Sequence, residues 1–149
     1  MKKALIALSF GTFGLGVTEF SMMAILPYVA NDLHVSIPTA GNFISAYAFG
    51  VCVGAPGIVA LRHKPLKQLL LTLVALMVIG HLCASLSPNY WTLLAARFVS
   101  GLPHGAYFGV ATIVAMKLAA PGKGASAVAA MVAGMTVANL AGVPLATFI

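Results

Sequence analysis

Acidic residues are almost missing from this chain. Glu19 and Asp32 are the only two in 149 positions, and charged residues of both signs make up 7% of it. A soluble domain of this length needs far more charge to cover its surface. The stretch G-x-x-x-x-G-K-[ST] does not occur, so ATP binding by a P-loop is excluded. No set of His, Cys, Asp and Glu has metal-ligand spacing, and the four histidines lie in four different places. A G-x-S-x-G nucleophile elbow is missing too. The chain therefore does not read as an enzyme, and neither a metal nor an organic cofactor is expected. Its energy source has to be another chain or an ion gradient. Cys52 and Cys83 sit inside apolar blocks without C-x-x-C spacing and read as packed thiols; nothing in the sequence supports a disulfide between them.

What the chain does have is apolar surface. Hydrophobic residues make up 61% of it and the mean hydropathy is +1.05. These residues fall in blocks of about twenty, the length that crosses a ~30 Å hydrocarbon core. An integral membrane protein follows. The net charge of +6 invites a nucleic-acid reading, but basic residues there cluster on one face among polar and aromatic neighbours. Here Lys2 and Lys3, then Arg62, Lys64 and Lys67, then Lys117 and Lys123 occupy three separate hinges between apolar blocks. No nucleic-acid partner is expected. The opening MKKALIAL has the basic and apolar parts of a signal peptide, yet no small-x-small cleavage site follows. It reads as an uncleaved first membrane helix.

Five spans are predicted, at about 4–29, 39–61, 68–85, 91–116 and 125–149, separated by ANDLHVSIP, RHKPLK, SLSPNY and KLAAPGKG. All are expected to be helical, since a lone strand leaves its backbone groups unsatisfied in lipid. Apart from Arg97, Lys and Arg fall at the N-terminus and in alternate loops, which predicts a cytoplasmic N-terminus. Gly50-x-x-x-Gly54 and Gly101-x-x-x-Gly105-x-x-x-Gly109 permit close helix approach, and Pro56, Pro103 and Pro144 suit helices that bend. Ordinary membrane packing is the first reading of any one of these glycines, and only together with the prolines do they suit helices that bend and rock.

Two charges stand out. Glu19 lies about 22 Å along the first helix, and Arg97 about 9 Å below the outer end of the fourth, at 1.5 Å per residue. That places both at nearly the same depth. An unpaired charge there costs several kcal/mol, on the order of 3 or more. Two readings are open: a static ion pair that fixes helix packing, or a carboxylate that loads and releases a proton beside Arg97. On the fourth helix Arg97, Gly101, His104 and Phe108 fall within about 60° of one another and form one stripe, the pattern of a cavity lining. His104 also fits a satisfied interior histidine. Asn139 on the fifth helix suits a helix-to-helix hydrogen bond or a ligand contact. On the second helix Asn42 and Tyr47 are candidate ligand contacts, although Asn42 also fits the outer interface. Met22 and Met23 read as packing.

Four stretches resemble the major facilitator superfamily, specifically its drug:proton antiporter-like branch, which includes bacterial sugar-efflux permeases. They are GTFGLGVTEF (11–20) with Pro27, AYAFGVCVGAP (46–56), RFVSGLPHGAYFG (97–109) and GMTVANLAGVPLAT (134–147), and the likeness runs the whole chain. The resemblance implies an acidic site at Glu19, a motif of an Arg followed by spaced glycines at Arg97, Gly101 and Gly105, and an antiporter motif at Gly142 and Pro144. One departure is clear. The pattern G-x-L-x-D-R-x-G-R-K of the loop after the second helix meets VALRHKPLKQ, with Val59, His63 and Leu66 at the places of its first Gly, its Asp and its second Gly.

The family fold has twelve helices in two six-helix halves built from inverted repeats. The resemblance thus implies an all-α integral membrane fold of which 1–149 is the five-helix N-terminal portion, an incomplete six-helix half lacking the C-terminal half. It implies a multi-pass protein of the bacterial inner membrane whose partners are the lipid bilayer, a small-molecule solute and the proton. The expected function is efflux of a sugar or small amphipathic solute by alternating access, coupled to proton entry through Glu19 and Arg97. The alternative is a truncated or non-transporting membrane subunit whose charged pair is structural.

Overall fold

The computed structural model describes residues 2–61 and 63–148, without the side chains at 59, 60, 146 and 147. The side chain at the Val59 position of the loop pattern, the basic residue Arg62 and the span end at Ile149 lie outside the described residues.

Blocks of apolar residues without internal polar alternation fold as helices, and among the described residues no strand occurs. α1 covers Lys2–Asp32 and α2 Ile37–Ala40. α3 is Asn42–Gly57, continued by a 3₁₀ turn at Ile58–Leu61. α4 is Leu66–Ser85 and α5 Tyr90–Leu118. α6, Gly124–Val137, passes through a π turn at Ala138–Gly142 into α7, Val143–Thr147. Five of these stretches are long and apolar enough to cross a membrane: Lys2–Asp32, Ile37–Gly57, Leu66–Ser85, Tyr90–Leu118 and Gly124–Leu145. The fold expectation is therefore met. The first span is longer at both ends than its apolar block, and the second is interrupted at Gly41.

Local chemistry sets the ends. α1 closes where His34 takes a left-handed conformation (φ 52°) and Val35 N–H reaches back to Ala30 O at 2.9 Å. Ser36 caps α2, accepting from Thr39 N–H, and Asn89 caps α5 in a reciprocal box with Thr92. Near the far end Pro144 has no N–H to give, and its ring crowds the carbonyl four residues back, that of Leu140. The wide turn at Ala138–Gly142 absorbs that conflict.

α5 is the centre of the bundle, packed on α3, α4 and α6, while α1 lies along α6 and α7. No hydrophobic force drives helices together in lipid, so the contacts are made by small residues and hydrogen bonds. At the α3–α5 crossing a Cβ on Gly50 would strike Phe98 O, one on Gly54 would strike Leu102 O, and one on Gly101 would strike Tyr47 O. Gly105 faces Ala55 and Val51, whereas Gly109 faces open space. At the α1–α6 crossing Gly134 meets the backbone of Ser9, and Gly16 meets Ala138. Ser9 Oγ donates to Ala130 O at 2.7 Å and Thr12 Oγ1 to Met131 O at 2.6 Å. Thr12 is fully buried. Thr12→Val keeps the shape and loses this bond, and should lower stability by about 1 kcal/mol in a thermal melt of the chain in detergent.

Two apolar clusters form the interior. One joins Leu8 and Leu15 to Leu73, Tyr107, Ala111 and Met131. The other joins Ala30, Ala40, Phe43 and Leu93. Between them, along both α1 and α5, the interior turns polar.

Candidate functional site

Three helices contribute to this polar layer: α1 with Thr18 and Glu19, α3 with Tyr47, and α5 with Arg97 and His104. Arg97 and His104 are seven residues apart, about two turns, so both lie on one face of α5. The close approach of Gly101 to the Tyr47 carbonyl brings α3 against that face between them. The Tyr47 side chain, 2% exposed, then reaches both. Its hydroxyl lies 2.7 Å from His104 Nδ1. The Arg97 guanidinium sits over its ring, 4.4 Å from the centroid.

On its other edge the imidazole faces α1. His104 Nε2 is 3.8 Å from Glu19 Oε2. Phe108 stacks on the His104 ring at 5.3 Å and closes the stripe below. When the Tyr47 hydroxyl donates to Nδ1, the neutral imidazole carries its hydrogen on Nε2, the atom turned to Glu19. That hydrogen can pass from Nε2 to the Glu19 carboxylate as Nδ1 takes the one from the Tyr47 hydroxyl. Glu19 Oε2 is shielded and has no hydrogen-bond partner among the described residues. It is the acceptor that the protein leaves open.

Arg97 is 3% exposed, and burying a guanidinium needs compensation. Its direct contacts are with neutral groups. Nη1 donates to Thr18 O at 3.3 Å, and the π face of Tyr47 lies below the cation. Sequence depth puts Glu19 and Arg97 level, and the structure places them in one cluster. The facing ion pair itself is not formed, because the guanidinium is turned to Thr18 O and Tyr47 and the carboxylate to His104. Tyr47→Phe should cost about 1 kcal/mol through the lost buried hydrogen bond. It should also move the His104 ring-nitrogen resonance in an NMR spectrum and leave Arg97 in place.

The remaining candidates lie apart. Asn42 is exposed, and its Nδ2 donates to the Tyr90 hydroxyl at 2.9 Å near the outer end of α3. Asn139 is exposed on the π turn and forms no hydrogen bond to the described residues, so the helix-to-helix bond expected as one option is not made. Gly142 packs on Val17 of α1, and Pro144 opens α7. No group of three metal-ligating side chains occurs among the described residues. What sequence reasoning missed is the pivotal place of Tyr47. The only signal for it was its spacing before Gly50, which fixes the α3 face that meets α5.

The family model for the Major Facilitator Superfamily matches residues 8–149 of the chain. The chain belongs to the major facilitator superfamily. It is therefore a multi-pass membrane protein of a transporter family. It is 53% identical to the AraJ protein of Escherichia coli (strain K12) over 150 residues, covering 100% of this chain and 38% of AraJ. It is 46% identical to "Inner membrane transport protein YdhP" of the same organism over 146 residues, 97% of this chain and 38% of YdhP. A "Probable sugar efflux transporter" of Helicobacter pylori (strain P12) is 30% identical over 142 residues, 95% of this chain and 36% of that protein. The chain thus spans little more than a third of the length of the relatives it matches.

Proposed function

We propose that this chain is the coupling part of a proton-driven exporter. In the intact transporter it forms five helices of the N-terminal six-helix half, and a C-terminal half supplies the opposite wall of the cavity. The protein lies in the bacterial inner membrane with its N-terminus and the lysine-bearing loops in the cytoplasm, following the charge bias of those loops. The cargo is a sugar or a small amphipathic solute, in keeping with the names of YdhP and of the Helicobacter pylori relative.

One observation supports the coupling role above the others: Glu19 Oε2 is shielded, makes no hydrogen bond among the described residues and lies 3.8 Å from His104 Nε2. A carboxylate placed only to fix packing would be expected in a direct bond to the buried guanidinium. Here the direct contacts of Arg97 are the Thr18 carbonyl and the Tyr47 ring, so they stay in place when Glu19 changes its charge. Protonated Glu19 lets the cavity pass through its closed form with less buried charge. Ionised Glu19 attracts the next proton or a polar solute. Glu19 is the proton carrier, Arg97 its nearby compensating charge, and His104 with Tyr47 the relay. Asn42 and Asn139 serve as solute contacts at the rim. Gly101 and Gly105, with Gly142 and Pro144, are where the helices slide and bend during alternating access. Everted vesicles test this by reporting proton movement when solute is added. Solute-driven proton flux is expected, and its absence despite transport would overturn the coupling.

A further inference from the structure

Among the described residues, Glu19 Oε2 is one of four shielded side-chain atoms without a hydrogen bond; the others are Arg97 Nε, Ser21 Oγ and His81 Nε2. These three lie on α5, α1 and α4. α1 and α4 both start at the end that bears the exposed lysines, so they run parallel. They touch where a Cβ on Gly14 would lie 3.3 Å from Met77 Cε. One turn further on each helix gives Thr18 and His81 on the facing sides. Ser21, three residues on from Thr18, shares its face of α1. Thr18 O is the acceptor of Arg97 Nη1. From the other direction, Gly80 packs within contact of Ser100, whose Oγ donates to Arg97 O at 2.9 Å. The residue after Gly80 is His81.

We infer that His81 Nε2, Ser21 Oγ and Arg97 Nε hold one structural water between α1, α4 and α5, on the side of Arg97 away from Tyr47. Shielded polar atoms without protein partners are costly, and a buried water takes about three hydrogen bonds. The chemistry of the three atoms fits one water molecule. Arg97 Nε–H donates to its oxygen, and its two hydrogens go to Ser21 Oγ and to His81 Nε2. A metal ion is disfavoured by the guanidinium, and an anion finds no donor at an unprotonated Nε2. Arg97, 3% exposed, supplies the most deeply buried of the three groups.

The guanidinium is then held on three sides, by the Thr18 carbonyl, the Tyr47 ring and the water. His81 acts on Arg97 only through that water and is a positioning residue. This inference concerns Arg97 alone and stands independently of whether Glu19 carries a proton.

The test uses the 149-residue chain in lipid nanodiscs. Arg62 and Arg97 are its only arginines, so Arg62→Lys leaves a single Nε–H resonance to observe by NMR. A cross-peak from this proton to water that exchanges slowly with the bulk is expected. His81→Leu should abolish it and speed exchange of Nε–H about tenfold, the loss of one net hydrogen bond. His81→Gln, which keeps a hydrogen-bonding group, should restore it. No slow water at Arg97 Nε–H in the parent chain overturns the inference. Equal exchange in His81→Leu and the parent overturns it as well. If His81→Leu gives no dispersed spectrum, Ser21→Ala is read in its place, with the same loss expected and the same unchanged result contradicting it.

Discussion

Glu19→Gln in the intact transporter should lower export driven by a pH gradient by about 100-fold or more, the scale on which an obligatory proton-transfer group acts. The substitution keeps the shape of the side chain and its place beside His104 Nε2. What it removes is the ability to gain and lose a proton. Solute exchange without a net gradient should survive, since it requires the cavity and not the proton cycle. The measurement is uptake into proteoliposomes with an imposed pH difference, beside counterflow at equal pH. Loss of both activities would point to a structural role. Proton-coupled export that persists unchanged would remove Glu19 from the mechanism.

Gly101→Leu should cost about 3 kcal/mol or more in the stability of the chain, at or above the upper end of core overpacking. Overpacking is usually eased by neighbouring side chains that turn aside. Here the obstacle is backbone: the new Cβ meets Tyr47 O, with Val51 N 3.2 Å away. α3 would have to move off α5, carrying Tyr47 away from His104 and Arg97. The control is Gly109→Leu, eight residues on along α5, where nothing lies within 4 Å of the new Cβ. That variant should fall within about 0.5 kcal/mol of the parent. Thermal unfolding in detergent compares the two, and equal stability would contradict the crossing described here.

The spans were readable because lipid makes a single demand, an unbroken apolar length, and this chain meets it five times. Their ends were less readable. α1 extends from Lys2 to Asp32 because helix propensity and a left-handed His34 decide the boundary, not hydropathy. Pro144 announced a bend in the last span, but not that it would take the form of a π turn over Ala138–Gly142.

The polar layer was readable in part. Depth along a helix follows from counting residues, which put Glu19 and Arg97 level. Direction around the helix needs the neighbours. That is why the turn of Arg97 to Thr18 O, and of Glu19 to His104, emerged only from three-dimensional packing. The stripe of Arg97, Gly101 and His104 was visible as helical periodicity, but not that Tyr47 on α3 faces it. His81 gave no sign at all, since a lone histidine in an apolar block looks the same whether it meets lipid or the interior.

The central claim, that the Glu19 carboxyl exchanges its proton with water, has a single-site test because Glu19 is the only glutamate in the chain. The chain made with ¹³C-labelled glutamate, held in nanodiscs and observed by infrared spectroscopy, reports the charge state of that one carboxyl. The account predicts that the labelled carboxylic-acid band grows and fades reversibly as pH is cycled. It also predicts that the Tyr47→Phe change, acting through His104, shifts the midpoint. A labelled carboxyl that stays in one form across the whole pH range in which the chain remains folded would contradict it.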